Sequence, residues 1–581
     1  MSKISLPFVV DAENKASHDD TDFSQCDLYP KLPPSLQEAV RSSPHLLAYL
    51  HMVPILEVGI PDYYRGLSRK MADIKKPNLI YPLRREGLFA HILFDQEEER
   101  NHYIAVEPTL TLGGESLILQ ADVKLLDLRD KLACIDPEKD KTKQFLSYLE
   151  HVTSIGERSS GLLAKLFGLF RGGQQFTKIN VAPRELGGLK YLFIRDKIGM
   201  GVLEPLMADP YIEDISCSGL GHVFIEHKMF KSLKSTITFS SHDEIDQFVV
   251  WLSERIRKPV TYKNPIIDAT LPDGSRINIV FGGNVSKRGS NFTIRKFSEV
   301  PISIFELVEF GTLDYRMLAY LSLAIGNGMN VFVSGETASG KTTLLNAVTT
   351  FIPPLAKVVT IEDTPELQIP HQNWIREVVQ TTKMQDTSGA VTMFDLLRAA
   401  LRQRPDEILV GEIRGPEGNI AFQAMQTGHS VMATFHAASV EKLIQRITGD
   451  PISVPKTYVD NLNVVVLTSA VKLPTGSTGR RVTSISEVVG YDPFLESFAF
   501  VESFRWNQEN DVFEFTGHMT SYILEYRIAP IIGIMHHKRQ RIYAELDRRA
   551  RILEKLHREQ GITGFYEVLD VLARAQNEGL F

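Results

Sequence analysis

The sequence predicts an α/β protein whose second half carries a parallel-rich sheet, preceded by a small α+β domain and a further N-terminal region. Three observations support this. From about Ile302 onward, short apolar strands alternate regularly with amphipathic helices, the pattern of a parallel sheet covered on both faces. Between one such strand and the next helix, Gly335-Glu336-Thr337-Ala338-Ser339-Gly340-Lys341-Thr342 matches GxxxxGK[ST] at every fixed position. The 581 residues are 43% hydrophobic and 23% charged, an ordinary globular balance that excludes wholesale disorder and a fibrous repeat.

Composition removes further classes. The three cysteines, Cys26, Cys134 and Cys217, stand far apart with no CxxC pair, which argues against a disulfide framework or a cysteine-based zinc site. Lys+Arg 64 against Asp+Glu 71 leaves a net charge of −7, not the footprint of a chain that coats nucleic acid. No apolar run reaches the ~20 residues that span a bilayer, and the N-terminal MSKISLPFVVDAENK lacks the apolar core of a secretory signal. The expectation is a soluble intracellular protein.

Along the chain, residues 1–35 read as a polar, flexible lead-in ending in the extended LYPKLPPS. Residues 36–178 read as an N-terminal α+β docking region. It has a helix from Leu36, strand-like His102–Leu112 and a helix through KTKQFLSYLEHVTSI, and it closes on the glycine-rich boundary Phe170–Lys178. Residues 181–296 read as a small α+β domain. Here HVFIEHK alternates like a strand, HDEIDQFVVWLSERIRK is an amphipathic helix, and RINIVF and SNFTIRKF flank the loop GGNVSKRG. A hinge is expected at 297–303 and the main α/β domain at 304–500. In that domain MNVFVSG, KVVTIED, IREVVQTT, EILVGE and SVMATFH are strands. KTTLLNAVTTFI, TMFDLLRAALRQR (with Thr392 and Asp395 at capping-box spacing) and GNIAFQAMQTG are helices. Residues 501–581 close the chain with a hairpin, FVESFRWNQENDVFEFTG, and helices that include RQRIYAELDRRARILEKLHREQG.

The chemistry begins at the glycine-rich loop. Its backbone N–H groups can wrap phosphates, its helix N-terminus adds partial positive charge, Lys341 can reach the β- and γ-phosphates, and Thr342 can ligate Mg²⁺. Hydrolysis also needs acids at neighbouring strand ends. Glu412 follows the strand ILVG, and Glu362, Asp363 and Glu366 follow VVTI. Each acid also has a bland reading, as a strand cap or an acidic solvated turn. His429 and His436 read either as satisfied structural residues or as γ-phosphate sensors on the same sheet edge, and no third ligand type makes them a metal pair. Arg276, Arg288 and Arg295 read either as solvated surface or as guanidiniums reaching a γ-phosphate across a domain or subunit boundary.

The combination of GETASGKTT, VVTIEDTPE, LVGEIRG and TGHSVMATFHA, in that order, resembles the secretion ATPase superfamily. Its members power type II secretion, type IV pilus assembly, conjugative type IV secretion and the archaeal flagellum. The strings DPYIEDISCSG, LPDGSRINIVF and NFTIRKF are similar to its N-terminal companion domain, so the likeness covers roughly Leu186–Val501. It implies a RecA-like P-loop NTPase domain behind a PAS-like domain, a homo-hexameric ring, and ATP with Mg²⁺ as ligands. By position it implies that Gly335 to Thr343, with His429, hold nucleotide and that Glu362 polarises the attacking water, with Glu366 as its alternative. Glu412 would hold the water network of an Mg²⁺ that Thr342 ligates. Arg276, Arg288 and Arg295, with His436, would sense the γ-phosphate. It further implies a polytopic membrane platform protein as partner and a cytoplasmic site at the inner face of the membrane, with no nucleic acid expected. The chain lacks the four-cysteine zinc module common in bacterial members, which makes it more similar to the archaeal branch. Two other readings compete: a RecA-like nucleic-acid translocase, which needs a basic, aromatic channel, and a silent nucleotide-holding scaffold.

Overall fold

The computed structural model describes the chain except residues 1–2, 5, 9–25, 69–70, 72–73, 112–114, 127–140, 157–177, 298–299, 380–390, 475, 477 and 580–581. Most of the expected lead-in and all but Lys178 of the Phe170–Lys178 boundary lie outside the described residues. The chain forms two compact units, Met1–Phe297 and Ser298–Phe581.

The first unit is built on one sheet of eleven strands. Its strands are β1 (Lys3–Ile4), β2 (Asp62–Tyr63), β3 (Asn78–Pro82), β4 (Phe89–Asp95) and β5 (Arg100–Val106), followed by β8 (Ile212–Cys217), β9 (Gly221–His227), β10 (Lys231–Phe239), β11 (Ile266–Thr270), β12 (Arg276–Val280) and β13 (Asn291–Arg295). A separate parallel pair, β6 (Thr153–Ile155) with β7 (Ile179–Val181), lies between them in sequence. The order is β11-β12-β13-β8-β9-β10-β5-β4-β3-β2, with β1 on β10. The regions 36–178 and 181–296, expected as separate, therefore share a sheet, joined where β10 pairs parallel with β5 at Lys234↔His102 and Ser235↔Tyr103. Alternate residues of β3–β5 feed two cores. Ile80, Phe89, Leu93 and Ile104 pack with the helices of residues 34–52. Leu79, Tyr81, Ala90, Ile92 and Tyr103 pack with β8–β13 and helix His242–Arg255. Asp209, fully buried, accepts from the hydroxyls of Tyr81 (2.7 Å) and Tyr103 (2.9 Å) and from the Tyr211 amide (2.8 Å).

The second unit carries nine strands in the order β16-β15-β17-β18-β14-β19-β20-β21-β22. These are β14 (Val331–Gly335), β15 (Val358–Glu362), β16 (Trp374–Val378), β17 (Glu407–Val410), β18 (Ser430–Phe435), β19 (Val464–Lys472), β20 (Thr478–Asp492), β21 (Ser497–Asn507) and β22 (Val512–Glu514). From β16 to β19 every pairing is parallel, the RecA-like part. From β19 to β22 every pairing is antiparallel. The inner parallel strands β14, β15, β17 and β18 are buried along their length because both faces are covered, whereas the edge strand β16 is only partly buried. Val331, Val333, Val358, Leu409 and Val466 pack with helices Ile304–Glu309, Tyr315–Gly326 and Lys341–Val348. Phe332, Val359, Ile361, Ile408, Val410 and Val465 pack with helices Met393–Gln403, Glu417–Gln426 and Val440–Thr448. The expected capping box at Thr392 and Asp395 is present.

On the antiparallel side sits a fully buried carboxylate, Glu487 of β20. Its Oε1 accepts from Tyr320 (2.8 Å), Ser503 (2.6 Å) and Ser521 (2.6 Å), and its Oε2 accepts from the Ile523 amide (2.9 Å). It thereby ties helix Tyr315–Gly326 and the C-terminal segment to the sheet. Glu487→Ala would strand several buried donors, each costing ~1–3 kcal/mol. Urea unfolding should show a loss of more than about 3 kcal/mol, with Glu487→Gln losing clearly less. Equal losses for the two would show that the carboxylate's acceptors do not matter.

Candidate functional site

The glycine-rich loop forms between β14 and helix Lys341–Val348, as its sequence requires. Gly340 caps the helix at φ +91°, left-handed backbone that disfavours a side chain. A Cβ on Gly335 would come within 2.2 Å of the Thr468 carbonyl, so the strand end is closed to any other residue. Neighbouring strands fix the loop. Ser339 Oγ meets Thr468 Oγ1 of β19 at 3.0 Å, and Ser334 Oγ donates to the Ala437 carbonyl at 2.8 Å. His436 Nδ1 lies 2.9 Å from the Gly335 carbonyl. A carbonyl only accepts, so Nδ1 carries the proton. Lys341 Nζ donates to the carbonyl of Glu336, in its own loop, at 2.9 Å. Burial lowers its pKa, and the Glu412 charge partly offsets that.

Glu362 ends β15, beside β17, and is 1% exposed. Its Oε1 accepts from the amides of Glu366 and Leu367, both at 2.8 Å. Its Oε2 is buried without a hydrogen bond and lies 3.5 Å from Arg376 Nε. Burial pushes the carboxyl up to about 7, against the two amides and Arg376, which favour the charged form. Gly411, the next residue after β17, admits this packing, since a Cβ there would come within 3.3 Å of Glu362 Cγ. Glu366 is half-buried, and its backbone N–H is what reaches Glu362. Glu412 Oε2 accepts from Arg414 at 2.5 Å, and its charge supports the ammonium of Lys341.

One expected grouping is corrected. His429 precedes β18 and His436 follows it, so the pair lies at opposite ends of that strand, roughly 20 Å apart at strand rise. Because β18 runs parallel to β14, only His436 is at the P-loop end. His429 instead meets Thr427 Oγ1 at 3.0 Å. The arginines also divide. Arg276 and Arg295 are direct cross-strand partners on β12 and β13, with Asp214 next to Arg295 on β8. Arg288 is exposed in the loop at the other end of that hairpin.

Three residues of the site escape a motif reading. They are Arg376 beside Glu362, Thr468 under the loop, and Arg480, whose Nε donates to the Ala338 carbonyl at 3.1 Å. Their signal lies in strand pairing, which places β16 next to β15, β19 next to β14 and β20 next to β19, and not in spacing.

The family model described as "Type II/IV secretion system protein" matches residues 196–468. An uncharacterized protein of Methanocaldococcus jannaschii is 42% identical over 550 residues, 94% of this chain and 97% of its own length. The type IV secretion system protein VirB11 of Bartonella quintana is 30% identical over 242 residues, 36% of this chain and 67% of its own. Among solved structures, the VirB11 ATPase of Brucella suis in complex with sulphate is 24% identical, covering 49% of this chain and 92% of that one, with TM-score 0.25.

The geometry of Glu362 has a thermodynamic signature. Its folded pKa, about 7, exceeds the unfolded value of 4.5, so the native state binds the proton more tightly. This group's contribution to stability therefore falls as pH rises from 4.5 through about 7, by up to ~3 kcal/mol. Glu362→Gln keeps the acceptor for both amides and removes the charge. It should be more stable than wild type at pH 8 and lose that advantage by pH 5, as followed by thermal melts. A variant less stable at both pH values would mean that the carboxylate is structural.

Proposed function

The chain belongs to the type II/type IV secretion ATPase superfamily, and on that footing we propose that it is an ATP-hydrolysing motor. Its work would be to assemble a type IV pilus-like or archaellum filament, or to drive type II secretion across the cell membrane. The observation that supports this best is the pairing of a formed phosphate loop with a desolvated carboxylate, Glu362, one oxygen of which is left unbonded.

In this reading the triphosphate occupies the loop amides and draws Lys341 off the Glu336 carbonyl. Glu362 is held by two amides on Oε1 and orients a water with Oε2. A carboxyl near 7 can both carry charge at neutral pH and take a proton. Glu366 serves chiefly through its amide. The half-buried Thr342 hydroxyl at the helix N-terminus, with Glu412, offers the hard oxygen donors that suit Mg²⁺. Bound there, Mg²⁺ would neutralise charge on the transferring phosphoryl group. His436, with Nδ1 committed to Gly335, presents Nε2 as the sensor of the γ-phosphate. Arg276 and Arg295, cross-strand partners on β12 and β13, would supply the positive charge for a γ-phosphate. An ATP-dependent closure through residues 297–303, repeated around a homo-hexamer at a polytopic membrane partner on the inner face of the membrane, would turn hydrolysis into a stroke. Among the described residues no helix is long and apolar enough to cross a membrane, so contact with the bilayer would be peripheral or through that partner.

Lys341→Ala should abolish ATP hydrolysis while leaving the far-ultraviolet circular dichroism of the protein intact; turnover at the wild-type rate would refute the loop's role. Arg276→Ala or Arg295→Ala should cut the preference for ATP over ADP by at least ~10-fold, with ADP affinity nearly unchanged, in equilibrium binding of labelled nucleotides. An equal loss for both nucleotides would remove the arginines from γ-phosphate sensing.

A further inference from the structure

At the turn between β4 and β5, far in sequence from the phosphate loop, Asp95, Glu98 and His102 bring one ligand atom each within 4.8 Å of one another. His102 Nε2 faces Glu98 Oε2 at 3.2 Å and Asp95 Oδ2 at 3.5 Å. The imidazole is 3% exposed, and that nitrogen is buried without an aligned hydrogen bond. Two carboxylate oxygens thus converge on one buried nitrogen. A single N–H can serve only one of them, whereas a cation between the three serves all.

The two separations suit zinc. Tetrahedral zinc with bonds of 2.0–2.1 Å sets its ligand atoms about 3.3–3.4 Å apart, between the two separations seen. The nitrogen donor disfavours Mg²⁺ and Ca²⁺, and the lack of sulfur disfavours Cu(I). The supports are also in place. Asp95 Oδ1 accepts from the Glu97 amide at 2.8 Å, which turns Oδ2 toward the histidine. Glu98 is gripped by Lys234 of β10, at 2.6 Å from Oε1 and 2.8 Å from Oε2. A metal on Oε2 would take the place of the Lys234 contact there while Oε1 stays on the lysine, so Lys234 would orient the ligand from outside.

We propose that Asp95, Glu98 and His102 form a zinc site with a fourth, water-accessible position, fastening the β4–β5 turn at the seam where β5 meets β10. Lys234 and His102 are register partners across that seam, which joins the two halves of the first unit's sheet. The site therefore braces the sheet at its two-residue-pair junction, independently of nucleotide chemistry.

The test uses full-length protein stripped with chelator and titrated with Zn²⁺ alone, by calorimetry, and with Co²⁺, by visible absorption. Wild type should bind one equivalent of Zn²⁺ at this site, melt at a higher temperature when loaded, and give the intense visible bands of four-coordinate Co²⁺. Glu98→Gln, on the exposed turn, and the near-isosteric Asp95→Asn, at the end of β4, should fold normally and lose at least 10-fold in Zn²⁺ affinity together with the Co²⁺ bands. His102→Asn should lose binding altogether. Lys341→Ala should bind Zn²⁺ as wild type does, which separates this site from the phosphate loop. No stoichiometric Zn²⁺ binding by wild type would overturn the proposal. So would affinities in Glu98→Gln and Asp95→Asn equal to that of wild type.

Discussion

Burying the Glu362 carboxylate with only one oxygen hydrogen-bonded is the constraint around which the nucleotide domain is organised. An acid in that position costs several kcal/mol when ionised, unless neighbours compensate. The turn 363–367 compensates half of it by aiming two amides at Oε1. The other half is left as charge density at the strand end, with Arg376 at 3.5 Å. The segment after the neighbouring strand must then present glycine at 411, because a Cβ there would press on the Glu362 side chain. On the far side of β18, β14 must hold the phosphate loop, and Ser334, Ser339, Thr468 and His436 hold it from adjacent strands.

Two other fully buried carboxylates, Glu487 and Asp209, show what a saturated structural acid looks like. Glu487 accepts four hydrogen bonds and spends both oxygens. Asp209 accepts from two tyrosines and an amide, while Lys296 donates to carbonyls of the same turn. Saturated in this way, each fastens several elements. Glu362 is only half saturated, and so is Glu407 at the start of β17, whose Oε1 is buried without a partner and whose carboxyl burial pushes up to about 8; Glu362 differs in ending its strand on the phosphate-loop side of the sheet. It is that position, beside the phosphate loop's end of the sheet, on which the proposed role of Oε2 rests, a trade between stability and function.

The sequence made the parallel strands and the loop legible because both are local. GETASGKT needs particular residues at fixed spacing, and strands buried on both faces read as apolar runs. The order of the acids at strand ends followed from the βαβ pattern. What escaped depends on pairing between distant segments. The long β19 and β20, antiparallel to each other, bring Thr468 and Arg480 to the loop from segments that carry no motif. The placement of His429 needed the direction and length of β18, and motif adjacency alone put it on the wrong edge. The sharing of one sheet by residues 36–178 and 181–296 rests on two parallel residue pairs between β5 and β10, a contact that no periodicity encodes.

The account turns on Glu362 acting in its ionised form with a carboxyl near 7. The most direct measurement is the pH dependence of single-turnover ATP hydrolysis by nucleotide-saturated wild-type protein, beside Glu362→Gln. The account predicts a wild-type rate that rises about tenfold per pH unit below the carboxyl's pKa and levels above it, and a variant at least ~10²-fold slower with that limb absent. A wild-type rate flat from pH 5.5 to 8, or a variant that keeps the same limb, would contradict it.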